Sequence, residues 1–89
     1  MSDPARRVPR VTLYGRPGCC LCEEARDALE RIAAEVEFEL DERDIETDDL
    51  LLARYLERIP VIAVDGVDRF ELIVDEAALR AHLAAAAMI

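Results

Sequence analysis

Val11-Thr12-Leu13-Tyr14-Gly15-Arg16-Pro17-Gly18-Cys19-Cys20-Leu21-Cys22-Glu23-Glu24-Ala25 is the stretch on which the fold turns. Val11 to Tyr14 are β-formers, and the turn residues of Gly15-Arg16-Pro17-Gly18 stop them, so the segment reads as a strand followed by a loop. From Leu21 the apolar positions recur as Leu21/Cys22, Ala25, Ala28/Leu29, Ile32/Ala33 and Val36, with charged residues between them. That three-to-four spacing predicts an amphipathic helix whose N-terminus lies near Cys19.

Working outward, the period changes to two. Val36, Phe38 and Leu40 alternate with Glu37, Glu39 and Asp41, which predicts an edge strand with one wet face. Thr47 and Asp48 are candidate caps for a second helix carrying Leu50, Leu51, Tyr55, Leu56 and Ile59, closed by Pro60. Val61 to Val64 is an unbroken apolar strand and Asp65-Gly66 a hairpin signal. Phe70 and Leu72 then alternate with Arg69 and Glu71 in a following strand. Asp75 is placed to cap a last helix running to Ala87. The order β-α-β-α-β-β-α combines a parallel pair joined by a helical crossover with an antiparallel hairpin. The expected class is therefore α/β, a four-stranded mixed sheet with three helices and the first and third strands central. Residues 1–10, with Pro4, Pro9, Arg6, Arg7 and Arg10, read as a flexible lead-in, and residues 11–89 as the domain.

A chain of 89 residues supports one core. Hydrophobic residues at 53% and charged residues at 35% suit a packed domain rather than a disordered chain. Acidic residues number 20 against 11 basic, all Arg, for a net charge of −9, which argues against a nucleic-acid partner. No apolar run approaches the ~18 residues of a membrane span, and the first ten residues lack a hydrophobic leader segment. The expectation is a cytoplasmic protein without membrane contact. The acidic stretch from Glu37 to Asp49, broken only by Arg43 among basic residues, reads as a solvated edge and loop.

Three cysteines within four positions mark a site rather than the spread framework of a secreted protein. Cys19 and Cys22, three residues apart at a helix start, share one face, so their sulfurs can meet. At the N-terminus, free N–H groups and the helix dipole favour a thiolate at Cys19 below the free value of ~8.5. Glu23 and Glu24 oppose that shift and Arg16 supports it, so a modest depression is expected. Such a thiolate attacks disulfides, and a second thiol resolves the mixed disulfide. Cys20 points ~100° away around the helix and reads as a small apolar filler, the alternative being a second redox or regulatory thiol. Zinc is disfavoured, because adjacent Cys19 and Cys20 cannot readily join Cys22 around one tetrahedral ion. The sole histidine, His82, falls beside the apolar stripe of the last helix.

The segment from Leu13 to Ala25 resembles a glutaredoxin active site, closest to small bacterial glutaredoxin-like proteins with a Gly-Cys-x-Leu-Cys-Glu-Glu-Ala pattern. Arg58-Ile59-Pro60-Val61 is similar to the segment that holds the cis-proline of thioredoxin-like folds. The resemblance implies a thioredoxin-like, glutaredoxin-type fold, with Cys19 as nucleophile, Cys22 as resolving thiol and Pro60 as a cis-proline facing them. It also implies that the backbone of Ile59 pairs with an extended substrate segment. The chain departs from glutaredoxins where they bind glutathione. Cys-Pro-Tyr-Cys is replaced by Cys19-Cys20-Leu21-Cys22, Thr-Val by Arg58-Ile59, and the Gly-Gly before the last helix is missing. Asp75 and Arg16, with Arg54 and Arg58, remain as candidate contacts for a bound peptide or carboxylate.

The function expected is thiol–disulfide exchange on protein or small-molecule disulfides, with no metal or organic cofactor required. The electron donor is left open between glutathione and a thioredoxin-type reductase. The rival readings are a non-catalytic binding module on the same fold and an iron–sulfur carrier that ligates a cluster through Cys19 and glutathione.

Overall fold

The computed structural model describes residues 8–87, so most of the lead-in expected for residues 1–10 lies outside the described residues. The chain forms β1 (Arg10–Gly15), α1 (Cys20–Ala33), β2 (Glu39–Asp44), a 3-10 turn (Ile45–Thr47), α2 (Asp49–Tyr55), β3 (Val61–Val64), β4 (Val67–Glu71) and α3 (Glu76–Ala86). Strand order is β2-β1-β3-β4. β1 pairs parallel to β2, with Val11 opposite Leu40, and antiparallel to β3, which pairs antiparallel to β4. The β-α-β-α-β-β-α order and the central position of the two apolar strands match the sequence reading.

Alternation along the central strands divides the core in two. Val11, Leu13, Ile62 and Val64 meet Leu29 and Ile32 of α1 and Leu79 and Leu83 of α3. Each of these fully buried aliphatic side chains contributes ~1.5–3 kcal/mol of transfer free energy. Val61 faces the other way, clustering with Ile45 and with Tyr55 of α2. β3 is buried on both faces, hence its continuous apolar run. Asp65 (φ 51°) and Gly66 (φ 84°) are both left-handed, as a two-residue type I′ hairpin demands. In β4, Ile62 faces Phe70 while Ala63 faces Asp68, so Arg69 is the extra residue of a bulge.

All three helix starts are capped by side chains. Cys19 Sγ accepts from Cys22 N, Asp48 accepts from Leu50 N and Leu51 N, and Asp75 accepts from Ala77 N and Ala78 N. Of the two candidate caps for α2, only Asp48 serves; the Thr47 hydroxyl donates to the Asp44 carbonyl. α1 and α3 are tied at the surface by Arg31–Glu76 at 2.7 Å and by Arg80 bridging Glu35 and Glu76. Arg26 on α1 pairs with Glu42 on β2.

Four local expectations are corrected. The second strand is Glu39–Asp44 rather than 36–41, because parallel pairing to β1 selects that register; Val36 and Phe38 instead pack against the α1/α3 core. Leu50 is 81% exposed, since α2 is only two turns long and turns that position outward. Leu72 lies beyond β4 at φ 62°. β1 starts at Arg10, one residue before Val11, and Pro9 is fully buried with its carbonyl accepting from Glu39 N. Among the described residues, no helix is long and apolar enough to cross a membrane.

Candidate functional site

The end of β1 hands the chain to α1 through a tight turn. Cys19 N donates to the Arg16 carbonyl, with Pro17 and Gly18 (φ 79°) as the central residues, the arrangement of a type II turn. Proline presets the first central residue and glycine supplies the left-handed second one. That turn delivers Cys19 to the N-cap of α1, half-buried, and Cys22 to its first turn, 6% exposed. The two are joined as a disulfide with Cα atoms 5.2 Å apart. Cys22 N donates to Cys19 Sγ at 3.2 Å, so a backbone donor of the helix start points at the outer sulfur. Gly15 lies directly beneath the inner one, with no side chain to displace it. Cys20 is a free, exposed thiol outside this pair.

Ile59–Pro60 is a cis peptide. Ile59 and Pro60 are both buried, and Ile59 belongs to the cluster with Cys22, Ile45, Tyr55 and Val61 against which Cys19 packs. The Pro60 carbonyl accepts from Leu72 N at 2.9 Å. Ile59 N already donates to the Tyr55 carbonyl at 3.1 Å, so the donor half of the expected strand pairing at Ile59 is occupied within the chain.

A charged network fastens this loop. Tyr55 stacks on Tyr14 at 4.4 Å, and the guanidinium carbons of Arg54 and Arg58 lie 5.3 and 5.2 Å from the Tyr55 ring centre. The Tyr55 hydroxyl donates to Asp68 at 3.2 Å. Burial raises the Tyr55 phenol above its ordinary value, and the Asp68 charge adds to the shift. Arg58 forks onto Glu71 at 2.9 and 3.0 Å and reaches Asp68 at 3.3 Å. Its hydrogen bonds hold the Glu71 carboxyl below the usual glutamate range.

The remaining expected contacts are dispersed. Arg16 is exposed at a hollow of about 350 Å³ that also reaches Leu13, Pro17 and Cys22, on the turn side of the disulfide. Asp75 is committed as the cap of α3, and Arg58 to β4. His82 meets the edge of Phe70 at 6.2 Å, a packing contact. Among the described residues, no three His, Cys, Asp or Glu side chains are grouped to hold a metal ion. Sequence reasoning placed Leu72 in the last strand and passed over Ile73. Both are exposed, with Leu72 N donating to the Pro60 carbonyl, and the only signal for them was three successive apolar residues, Leu72-Ile73-Val74, where an alternating strand allows one.

Comparison with known proteins shows the family and the fold. The model of the Glutaredoxin-like domain (DUF836) matches residues 10–84. Uncharacterized proteins of Mycobacterium tuberculosis and Mycobacterium bovis are 31% identical over 81 residues, covering 85% of this chain and 84% of theirs. A Nitrosomonas europaea protein solved in solution superposes with a TM-score of 0.77 at 27% identity, covering 93% of this chain and 99% of its own. An X. campestris protein solved by X-ray diffraction gives 0.66 at 36% identity, covering 84% and 96%. Thioredoxin from Halobacterium salinarum, at 19% identity, shares the fold with a TM-score of 0.69 over 91% of this chain and 76% of its own. The family match runs through all four strands and into α3, and the chain accordingly belongs to the glutaredoxin-like domain family, built on a thioredoxin-like fold.

Proposed function

We propose that the chain is a thiol–disulfide oxidoreductase acting through Cys19 and Cys22. The observation that carries this reading is the inequivalence of the two sulfurs: one half-exposed at a helix N-terminus, the other buried beneath it. In the reduced protein the Cys19 thiolate is favoured by the helix dipole and the Cys22 N–H. It attacks a substrate disulfide, forms a mixed disulfide and expels one substrate thiolate. The Cys22 thiolate then attacks the Cys19 sulfur and expels the second, leaving the Cys19–Cys22 disulfide and having passed two electrons to the substrate.

Ile59 belongs to the cluster against which Cys19 packs and Pro60 is the cis-proline that follows it, so both serve as substrate contacts; exposed Arg16 meets a substrate carboxylate, and Asp75 adds negative charge beside α3. Glutathione or a thioredoxin-type reductase returns the electrons, which places the protein in a reducing compartment such as the cytoplasm. No further cofactor takes part.

The test is a redox titration with alkylation and peptide mass analysis on wild type, Cys19→Ser and Cys22→Ser. Paired, reversible loss of the Cys19 and Cys22 thiols is expected, with activity abolished in Cys19→Ser and mixed disulfides trapped in Cys22→Ser. Undiminished disulfide reduction by Cys19→Ser would overturn the assignment.

A further inference from the structure

Cys22 packs on one side against the apolar cluster of Ile45, Tyr55, Ile59 and Val61, and it also lines the turn-side hollow of about 350 Å³. Arg26 and Glu42 line the same hollow. Arg26 follows Cys22 by four positions, so it stands one turn along the same face of α1. Glu42 is opposite Leu13 in the β1–β2 register, two positions before Asp44, which is opposite Gly15, and Gly15 lies directly beneath Cys22. Residues two apart on a strand share a sheet face, so Glu42 looks toward α1, where Arg26 Nε donates to its Oε1. One ion pair thus spans the hollow beside Cys22. The other charges around it are placed differently. Arg16 is exposed on the turn, and Glu23 points ~100° away from Cys22 around the helix and acts through space on Arg26. Arg43 is opposite Tyr14 and bonded to Asp41, while the Asp44 carboxylate accepts from Glu46 N. On the cluster side stand the phenols of Tyr14 and Tyr55. Tyr55 is kept protonated by burial and by Asp68, with Arg54 and Arg58 against its ring.

We propose that the Arg26–Glu42 pair sets the protonation of Cys22 for the resolving step. The proposal rests on the thiol–disulfide reading and assigns two positioning residues to it. In the mixed disulfide, Cys22 must lose its proton before its thiolate attacks the Cys19 sulfur and expels the second substrate thiolate. Packing against the apolar cluster opposes that charge, and the hollow gives the proton a way out to solvent. Arg26 favours the thiolate. Glu42 anchors Arg26 and offsets part of its field. Removing the cation and removing the anion therefore act on Cys22 in opposite directions, whereas a mere tie between α1 and β2 would be loosened alike by either change.

The experiment mixes the reduced full chain carrying Cys20→Ser with less than one equivalent of neutral dithiodipyridine in a stopped-flow cell. Cys19 attacks one sulfur of the reagent and expels the first thiopyridine. Cys22 then closes the Cys19–Cys22 disulfide and expels the second, so the slower absorbance phase reads the resolving step. Its rate against pH has a midpoint that reports Cys22. Arg26→Ala should move that midpoint up by about half a pH unit, and Glu42→Gln should move it down by about as much. Below the midpoint the first change reads as a resolving step roughly threefold slower. Both shifts should shrink with added salt. Arg26→Lys keeps the cation and should restore the wild-type profile, and Arg80→Ala, in the α1–α3 network, should leave it unmoved. Shifts in the same direction for Arg26→Ala and Glu42→Gln, or none in either, would overturn the role of the pair. Two phases with unmoved profiles would sink that role alone. A missing second phase, or one that survives Cys22→Ser, would sink the exchange reading and the role of the pair with it.

Discussion

Replacing Gly15 with alanine tests how the inner sulfur is held. An added Cβ would stand 3.0 Å from Cys22 Sγ and 3.1 Å from Cys22 Cβ. Neither atom is the far end of a flexible side chain: Cys22 is 6% exposed, fixed in the first turn of α1 and bonded to Cys19. Overpacking of this kind costs ~1–3 kcal/mol, and removing glycine's extra freedom from the unfolded chain returns ~0.4–1 kcal/mol. The net expectation is a loss of about 1.5 kcal/mol. At ~4–8 °C per kcal/mol for a domain of this size, Tm should fall by roughly 6–12 °C in thermal unfolding of the oxidised protein followed by circular dichroism. The same substitution in a Cys22→Ala background keeps the Cβ contact but loses the sulfur. It should therefore cost at least ~0.5 kcal/mol less, a non-additivity typical of touching residues. A Gly15→Ala protein as stable as wild type, or an equal cost in both backgrounds, would refute the packing argument.

Two other outcomes follow from caps and charges. Asp75→Ala removes the acceptor for Ala77 N and Ala78 N and should lower stability by about 1 kcal/mol in urea unfolding; an unchanged midpoint would mean that water caps α3 equally well. Arg58 depresses the carboxyl of Glu71, and Arg31, then Arg80, depress that of Glu76. Carboxyls with a lowered folded-state pKa stabilise the fold above the unfolded value of ~4.3, and that contribution is lost as pH falls through the folded values. The urea midpoint should therefore drop more steeply below about pH 5 in wild type than in an Arg31→Ala/Arg58→Ala protein, and parallel curves would show that these surface pairs contribute nothing.

Local signals account for the parts of the fold that were legible. The 3.6 period of α1, the turn residues before it and the apolar run of β3 each specify their element within one stretch of chain, and Asp65-Gly66 specifies its own turn. β2 was misplaced because an edge strand is chosen by backbone pairing to β1, which leaves no apolar signature; of the visible alternation, Val36 and Phe38 belong to a link that packs on the core, and only Leu40 lies in the strand, 40% exposed. Ile45 is fully buried but stands among carboxylates, so no pattern announced it. At the site, the dithiol was readable because its spacing is its geometry. The clamp of Arg58 on Asp68 and Glu71 was not, because its partners lie 10 and 13 residues away on a strand whose bulge sets which side chains face the loop.

That clamp bears on how the proposed exchange keeps its direction. An incoming thiolate can approach only a sulfur it can reach, and the packing of Cys22 over Gly15 leaves Cys19 as the accessible end of the disulfide. Cys19 in turn packs against the cluster that contains Ile59, the residue before the cis-proline of the Ile59–Pro60 loop. Arg58 precedes that loop and is fastened twice, its side chain to β4 and its carbonyl to Leu72 N at 3.3 Å, while Leu72 N also holds the Pro60 carbonyl. One backbone donor just beyond β4 thus ties the cis-proline loop to the link that leads into α3. Loosening Arg58 would accordingly shift the cis-proline loop and, with it, the packing around Cys19.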